Sequence, residues 1–345
     1  MLLDASFLGS ATTAAADARA LEDKGYAALW SADGPRSPFF PLVLAAPATT
    51  AVTLGTGITI AFPRSAFVLA QTAWELQELS GGRFVLGLGT QVRPHVERRF
   101  GSPFDHPGPR LRELVLAVRA LWRAFRGEER LDFQGDFYRL DLLTPPFTPP
   151  TPRHPDPPLY LAAVNRWMFR MAGEVADGVF VHPFHSPRFL DEVAIPALEE
   201  GLARAGRNRE ALTLVSRVMV VATDDPDEHR AAVELARHRI AFYASTRAYL
   251  PVLAVHGWEQ VGTRLSALAA ARDWDAMPAL VNDDMVAAFT VEGTWAELPG
   301  LLEARYRGRL DRMMIYDGFG PRDESVERRL VAAVNHARRA PAVAP

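Results

Sequence analysis

The chain has 345 residues, of which 48% are hydrophobic and 23% charged, and its formal net charge is −3. These values are typical of a globular protein, and they predict neither a nucleic-acid surface nor binding to an anionic membrane. The sequence contains no cysteine, which excludes disulfides, thiolate nucleophiles, zinc–thiolate sites and iron–sulfur clusters.

The start of the chain and its apolar runs carry no targeting or membrane signal. The opening segment MLLDASFLGSATTAAADA has no basic region followed by a long apolar run, so we expect no signal peptide. No stretch reaches the roughly 18 uncharged apolar residues of a membrane span. We therefore expect a cytoplasmic protein without a membrane partner. Lys24 is the only lysine, so contacts to phosphate would fall to arginine or backbone amides.

Short apolar runs alternate with segments of helical periodicity along most of the chain. Strands are predicted at 4–8, 27–33, 52–62, 83–90, 159–164, 178–182, 212–222 and 312–316. Helices are predicted at 13–26, 41–50, 66–80, 110–126, 166–176, 187–206, 226–306 with a break at 249–258, and 323–338. A small hairpin is predicted at 130–140 with its turn near Gly135, followed by an extended, proline-dense connector over 144–158.

This order of elements predicts the fold class. About eight strands, mostly each followed by a helix, favour a parallel sheet, and continuous apolar runs indicate strands buried on both faces. No GxGxxG follows the first strand, so a closed (β/α)8 TIM barrel is favoured over an open doubly wound sheet. We expect a single domain over 1–345, with insertions at about 91–109, 127–157 and 226–306 near the mouth of the barrel.

Four glycines lie near the outgoing ends of the third and fourth strands. Side chains alternate across a strand, which places Gly55 and Gly57 on one small face and Gly87 and Gly89 on another. The bulky faces should meet the helices, so the glycines should face the barrel interior, which is normally filled by branched side chains. The absence of branched side chains at these four positions predicts a slot for a flat ligand. The alternative is that glycine makes room for a large neighbour such as Trp30 or Trp74.

Several motifs together carry a family resemblance. Segment 54–101 contains a glycine-rich strand, a helix that turns at Ser-Gly-Gly-Arg, and a strand that ends Gly-x-Gly. Four further pieces agree in order: 20–33, 133–141, 157–165 and 171–185. On these residues most of the chain resembles the luciferase-like monooxygenase superfamily. It is most similar to the actinobacterial branch that uses the deazaflavin coenzyme F420.

The resemblance implies a (β/α)8 barrel that binds coenzyme F420, or alternatively FMN, at its C-terminal mouth. It implies a bulge in the third strand, with a cis peptide between Gly57 and Ile58 behind the cofactor ring. The phosphate is expected on backbone amides where the fifth strand enters its helix. The cofactor-binding residues expected in this way are Gly55, Gly57, Ile58, Arg64, Gly87, Gly89, Thr90, Val164, Asn165 and Arg166. For two of them the alternative is Asn165 as a plain N-cap and Arg166 in solvent.

Three side chains at strand ends are candidates for chemistry. Asp33 could orient the ring or the substrate, or cap the turn that follows it. His182 is placed for proton transfer at the mouth, or is a histidine bonded within its loop. Arg64 could pair with the anionic tail or pyrimidine edge of the cofactor, or form a surface salt bridge. No clustered carboxylates accompany the histidines, so no metal is expected.

The function expected from the resemblance is an oxidoreductase. Coenzyme F420 would exchange hydride at its C5 with an organic substrate. Relatives carry a histidine at the position that follows Asp33, but this chain has Gly34 there. The glutamate of these relatives corresponds to residues 90–92, which here are Thr-Gln-Val. Both differences argue against a sugar-phosphate dehydrogenase. The alternatives are an FMN-dependent monooxygenase that needs a flavin reductase, a non-catalytic subunit, and an unrelated barrel hydrolase or isomerase.

The expected partners follow from the same resemblance and from composition. We expect a homodimer and a small-molecule substrate, and no nucleic acid. The large apolar share of 238–258 points to a bulky apolar substrate.

Overall fold

The protein is described by a computed structural model that covers residues 1–151, 153–316 and 323–336. Its strands are β1 Leu2–Ser6, β2 Ala28–Ser31, β3 Thr53–Thr56, β4 Thr59–Ile60, β5 Phe84–Gly89, β6 Phe133–Gln134, β7 Arg139–Leu140, β8 Leu159–Ala163, β9 Gly178–Val181, β10 Thr213–Ala222, β11 Thr290–Gly293 and β12 Arg312–Tyr316. Its helices are α1 Ala14–Asp23, α2 Phe39–Ala45, α3 Ala66–Leu79, α4 Pro107–Phe125, α5 Arg166–Val175, α6 Pro187–Phe189, α7 Ile195–Arg204, α8 Pro226–Ala244, α9 Leu250–Ala254, α10 Glu259–Ala271, α11 Asp283–Phe289, α12 Leu298–Tyr306 and α13 Glu324–His336.

A parallel sheet closes on itself to form the barrel. The strands follow the order β1, β2, β3, β5, β8, β9, β10 and β12, and β12 pairs back onto β1 with Leu3 opposite Met313. The strands are joined through helices, as parallel neighbours require. The closed (β/α)8 barrel predicted from the alternation of strands and helices is therefore confirmed. Within the described residues, no helix is both long and apolar enough to cross a bilayer.

The barrel interior is packed in layers. Near the N-terminal end, the Asp4 carboxylate accepts hydrogen bonds at 2.8 Å from Trp30 Nε1 and from Arg312 Nε. Above it, one buried cluster fills the middle, with members Ala28, Trp30, Val85, Tyr160, Phe180, Val215 and Met314. Because Val85 belongs to this cluster, Gly87 and Gly89 also face inwards, as the alternation in β5 predicts.

Two local predictions around α3 are confirmed. The Ser-Gly-Gly-Arg turn ends the helix with Gly81 and Gly82 at φ of 67° and 84°, a region that L side chains rarely adopt. The proline-dense connector lies along the same helix, since Trp74 Nε1 donates to Pro150 O at 2.9 Å and Gln77 Nε2 to Pro155 O at 2.8 Å. The predicted hairpin is also present, as β6 paired with β7.

Some elements differ from the sequence prediction. The first strand begins at Leu2 and ends at Ser6, because its ladder with β12 starts at Leu2. The segment 226–306 was expected to be helical but contains β11, whose residues pair with the outer half of β10. Met219 is paired with both Tyr316 and Thr290, so β11 occupies the edge of β10 opposite β12. This segment forms a strand because it pairs with that edge of β10. Its own sequence shows no strong strand pattern.

The third predicted strand is interrupted by a bulge. Gly55 lies opposite Val85 and Thr59 opposite Leu88, so β3 and β4 together contain one residue more than β5 between these pairs. The Thr56 hydroxyl bridges the gap, because Oγ1 donates to Gly87 O at 2.7 Å and accepts from Gly87 N at 2.8 Å. The bulge therefore depends on how closely the backbone at Thr56 can approach Gly87.

We predict that Gly87→Ala lowers the free energy of unfolding by about 2 kcal/mol or more. An alanine Cβ at this position would overlap the Thr56 carbonyl oxygen and crowd the Phe180 ring. The matched control is Gly300→Ala in α12, where the added methyl group meets nothing within 4 Å. That control should be neutral or stabilising by up to about 1 kcal/mol. Chemical denaturation of both variants measures the difference, and equal midpoints would contradict the role assigned to Gly87.

Candidate functional site

The C-terminal mouth of the barrel collects side chains one layer above the interior cluster. Val215 faces inwards, so Arg217 faces inwards one layer higher. In the ladder between β9 and β10, Val181 lies opposite Ser216, which places His182 beside Arg217. On the other side of β10, Met219 lies opposite Tyr316. Adjacent strands thus bring a histidine, an arginine and a tyrosine to one rim of the mouth.

The opposite part of the mouth has an apolar floor. Ile58 and Ala162 are half-buried and pack on the interior cluster. A Cβ built on Gly89 would lie 2.9 Å from Ile58 Cδ1 and 3.2 Å from Ala162 Cβ, so glycine is needed for both side chains to pack closely over β5. The peptide bond between Gly57 and Ile58 is cis, as expected from the resemblance. We call the surface formed by Ile58, Gly89 and Ala162 the floor.

The slot expected at the deeper glycines is not present. A Cβ on Gly55 would overlap the Trp30 ring, and one on Gly87 would overlap the Thr56 carbonyl oxygen. The chain itself therefore fills the space beside both glycines, and the alternative of room for a large neighbour such as Trp30 is correct for Gly55. The sequence offered this alternative but could not decide between it and the slot, because Trp30 comes from β2 and the carbonyl from the bulge. The surface that faces the mouth is set by Ile58 instead.

Asp33 and Arg64 are paired with each other. The guanidinium donates to both carboxylate oxygens, at 2.7 and 3.1 Å, and the Asp33 side chain is only 5% exposed. Asp33 Oδ2 also accepts from Ile60 N at 2.8 Å, and Arg64 donates to Ile60 O at 2.8 Å. The pair thus ties β2 to the far side of the bulge. The two charges therefore neutralise each other, and Asp33 positions β4 through its hydrogen bond with Ile60 N.

The start of α5 matches the simpler of the two expectations for that segment. The Asn165 side chain accepts from Met168 N at 3.0 Å and caps the helix, and the exposed Arg166 donates to Glu200 at 3.2 Å. The side chains of Asn165 and Arg166 are therefore engaged within the chain. The first amides of a helix have no partner inside it, so an anion cradle on the backbone from Val164 to Arg166 stays a prediction. Thr90 directly follows the neighbouring strand β5 and is half-buried.

His182 is held as a neutral ring. Its Nδ1 accepts from Phe184 N at 3.1 Å, and its face stacks on Tyr249 with ring centroids 4.3 Å apart. Burial, with a smaller contribution from His185, lowers the pKa of His182 to about 3. Because Nδ1 accepts a hydrogen bond, the proton of the neutral ring is on Nε2. At neutral pH His182 is therefore a hydrogen-bond donor and not a source of a labile proton.

The insertion after β10 covers this rim of the mouth. Tyr243 from α8 lies edge-on to His182, with centroids 4.9 Å apart, and its hydroxyl is 3.0 Å from the Tyr316 hydroxyl. The Arg239 guanidinium lies 4.4 Å from the centre of the Tyr316 ring. Burial raises the pKa of Tyr249 to about 12 and also raises that of Tyr243. Both tyrosines remain protonated and can donate hydrogen bonds at physiological pH.

Sequence reasoning missed three of these residues. Arg217, Arg239 and Tyr316 belong to no motif that singles them out in the sequence. A signal was present in β10, since Arg217 is the only charged residue of that strand. The apolar share of 238–258 has a structural use, because Ile240 and Leu253 are buried in the core.

Comparison with known proteins identifies the family. The profile of the luciferase-like monooxygenase family matches residues 6–312. The chain belongs to this family. It is 44% identical over 312 residues to an uncharacterized protein of Mycobacterium tuberculosis, covering 90% of this chain and 92% of that protein. It is 29% identical to a 5,10-methylenetetrahydromethanopterin reductase of Archaeoglobus fulgidus, covering 79% of this chain and 80% of the relative.

Known structures of this luciferase-like family show the same fold. The coenzyme F420-dependent tetrahydromethanopterin reductase of Methanopyrus kandleri superposes with a TM-score of 0.75 at 21% identity, covering 98% of both chains. The oxygenating constituent of 3,6-diketocamphane monooxygenase from Pseudomonas putida, in complex with FMN, superposes with a TM-score of 0.66 at 15% identity, covering 100% of both chains. The barrel scaffold is therefore shared by proteins that differ in cofactor.

We predict that Asp33→Ala lowers the free energy of unfolding by about 3 kcal/mol, because it leaves the Arg64 guanidinium largely buried without its carboxylate. A matched control is Glu192→Ala, which breaks the exposed pair with Arg188 and should cost less than about 0.5 kcal/mol. Equilibrium unfolding of the two variants gives the comparison. Equal losses would show that the Asp33 pair does not hold the bulge.

We also predict that His182 makes the fold less stable in mild acid. Its pKa is about 3 in the folded chain against 6.5 without the fold, so between these values the unfolded chain binds the proton more readily and stability falls as pH falls. Between pH 7 and pH 5, protonation of this one residue in the unfolded chain should lower the free energy of unfolding by about 1–2 kcal/mol. In His182→Gln the loss should be smaller by that amount, whereas His238→Gln, on the exposed side of α8, should keep the wild-type loss. Unfolding curves at the two pH values decide this.

Proposed function

We propose that this protein is a coenzyme F420-dependent oxidoreductase that moves hydride between the deazaflavin and an organic substrate. The observation that carries the proposal is the apolar floor at the mouth, next to the start of α5. The face of a planar ring system needs an apolar surface, and a phosphate attached to the ring system needs amide donors. A Mycobacterium tuberculosis relative described as a putative coenzyme F420-dependent oxidoreductase is 30% identical over 284 residues, covering 77% of this chain and 80% of the relative, and supports the same cofactor class.

The residues present suit that cofactor. Ile58, Gly89 and Ala162 would lie behind the ring, with Gly57 and Thr90 at its borders. The backbone of Val164, Asn165 and Arg166 would hold the phosphate. The deazaflavin supplies the redox step by carrying a hydride at C5, and the protein supplies position and electrostatics.

The chain's own groups would act on the substrate from the opposite rim. The Nε2–H of His182 donates a hydrogen bond without changing charge at neutral pH, which orients an acceptor atom such as a carbonyl or imine. The paired hydroxyls of Tyr243 and Tyr316, 3.0 Å apart, form a second donor group at the same rim. The insertion that carries Tyr243 and Tyr249 covers these groups and limits their contact with water, which strengthens each hydrogen bond.

A second candidate function uses the same floor. The structural relative from Pseudomonas putida is in complex with FMN, and a flavin ring has the same planar shape. With reduced flavin and oxygen the protein would be a monooxygenase and would need a flavin reductase as partner. The two cofactors therefore correspond to two different reactions.

We predict that purified protein binds coenzyme F420 at least roughly tenfold more tightly than FMN, measured by ring fluorescence. Gly89→Ala should weaken this binding, because the added methyl group displaces Ile58 or Ala162 from the floor. Gly300→Ala is the control with the same chemical change away from the mouth. Melting temperatures of both variants separate a lost site from a lost fold.

Each outcome of the titration has a distinct meaning. A preference for FMN would replace the F420 proposal with the monooxygenase. Binding of neither cofactor would contradict both and favour a non-catalytic subunit. If a folded Gly89→Ala variant bound F420 with wild-type affinity, the cofactor would not bind on the floor.

A further inference from the structure

Two arginines flank one tyrosine at the rim of the mouth. The Arg217 guanidinium lies 6.0 Å from the centre of the Tyr316 ring, and that of Arg239 lies 4.4 Å from it. Arg217 comes from the interior face of β10 and Arg239 from α8 above it. Two like charges are thus placed on the same aromatic side chain, beside the Tyr243 hydroxyl.

Neither arginine is neutralised by the part of the chain that the structure describes. No aspartate or glutamate oxygen there forms an ion pair with Arg217 or Arg239, although Arg237 on the same helix pairs with Glu234 at 3.1 Å and Asp283 at 2.9 Å. Asp33, at the end of β2, is already bound by Arg64.

Such an arrangement is costly without an anion. Burial lowers the pKa of Arg217, and the neighbouring tyrosines compensate only in part. Contact of a cation with an aromatic face stabilises the cation by less than the desolvation of a charged group costs. A pair of guanidinium groups is also the arrangement that binds carboxylate or phosphate oxygens best, through several parallel N–H donors.

We infer that Arg217 and Arg239 bind a carboxylate or phosphate group of the substrate, so that the substrate is an organic anion. This inference rests on the proposed function and narrows its substrate class. The Tyr243 ring lies 6.3 Å from the Tyr249 ring, and its hydroxyl lies 3.0 Å from the Tyr316 hydroxyl. Aromatic side chains thus border the two arginines, which suits a substrate with a flat or bulky apolar body. His182, beside Arg217 in the ladder, then lies next to the bound anion on the side of the floor.

The position argues for the substrate and against the tail of the cofactor. The amide cradle at the start of α5 follows β8, whereas Arg217 belongs to β10, and β9 lies between these strands. A cofactor phosphate held at α5 and a second anion held at β10 can therefore be bound on opposite sides of His182. The two sites have separate donors, so single substitutions can distinguish them.

The test uses benzoate and phenyl phosphate as anionic probes and benzamide as a neutral probe of similar shape. Calorimetric titration of the wild-type protein saturated with coenzyme F420 should show binding of at least one anion and none of benzamide. Arg217→Gln and Arg239→Gln should each weaken the anion roughly tenfold or more, and Arg217→Lys should retain part of the affinity. Arg264→Gln, which removes the same charge from an exposed position on α10 of the same insertion, should bind the probes as the wild type does.

A second titration compares coenzyme F420 with the deazaflavin core that lacks the phosphate and glutamate tail. We expect Arg217→Gln and Arg239→Gln to bind both as the wild type does. Loss of F420 affinity with unchanged affinity for the core would assign the arginines to the tail and overturn the inference. Failure of the wild type to bind either anion, or unchanged anion binding in both variants, would also overturn it. If the protein binds the anions through these arginines but binds no F420, the anion site stands and the proposed cofactor is wrong.

Discussion

The bulge between β3 and β4 is the constraint on which the mouth of the barrel depends. One extra residue in this strand turns Ile58 towards the mouth, and the strand resumes its ladder with β5 only at Thr59. Two interactions make this possible: the Thr56 hydroxyl replaces the missing ladder bonds to Gly87, and the Asp33–Arg64 pair holds Ile60. If either were lost, the floor would lose its central side chain. Asp33, expected to orient the ring or substrate, and Arg64, expected to pair with the cofactor, both hold the backbone at Ile60.

The charges at the mouth are distributed unevenly. On the side of β2 and β4, the acid and the base neutralise one another. On the side of β10 and β12, two guanidinium groups surround Tyr316 without an acid among the described residues. The floor lies between these regions and is uncharged. A planar cofactor on the floor would therefore meet a substrate from the cationic side, where His182 and the tyrosine hydroxyls offer only hydrogen-bond donors.

Local patterns predicted most of the scaffold. The eight barrel strands, the hairpin at β6 and β7, and the turn at Gly81 and Gly82 depend on residues close together in sequence, so their patterns could be read directly. The interior direction of Gly87 and Gly89 also followed from simple alternation. The break at the bulge came from the family resemblance and not from the residues alone. The strand β11 was missed because its pairing depends on an edge of β10 that no local pattern reveals.

The sequence by itself determined the closed barrel, the family, and the set of small residues near the mouth, because each depends on periodicity or on motifs that are contiguous in the chain. Only the tertiary structure decided what those residues do. Trp30 and Phe180 come from other strands and fill the space beside Gly55 and Gly87, respectively. The interior is therefore packed where a slot was expected, and the floor lies above it. Arg217 and Arg239 meet at Tyr316, which lies far from both of them in sequence. Burial and pairing arise from contacts between distant segments, and a sequence pattern does not contain them.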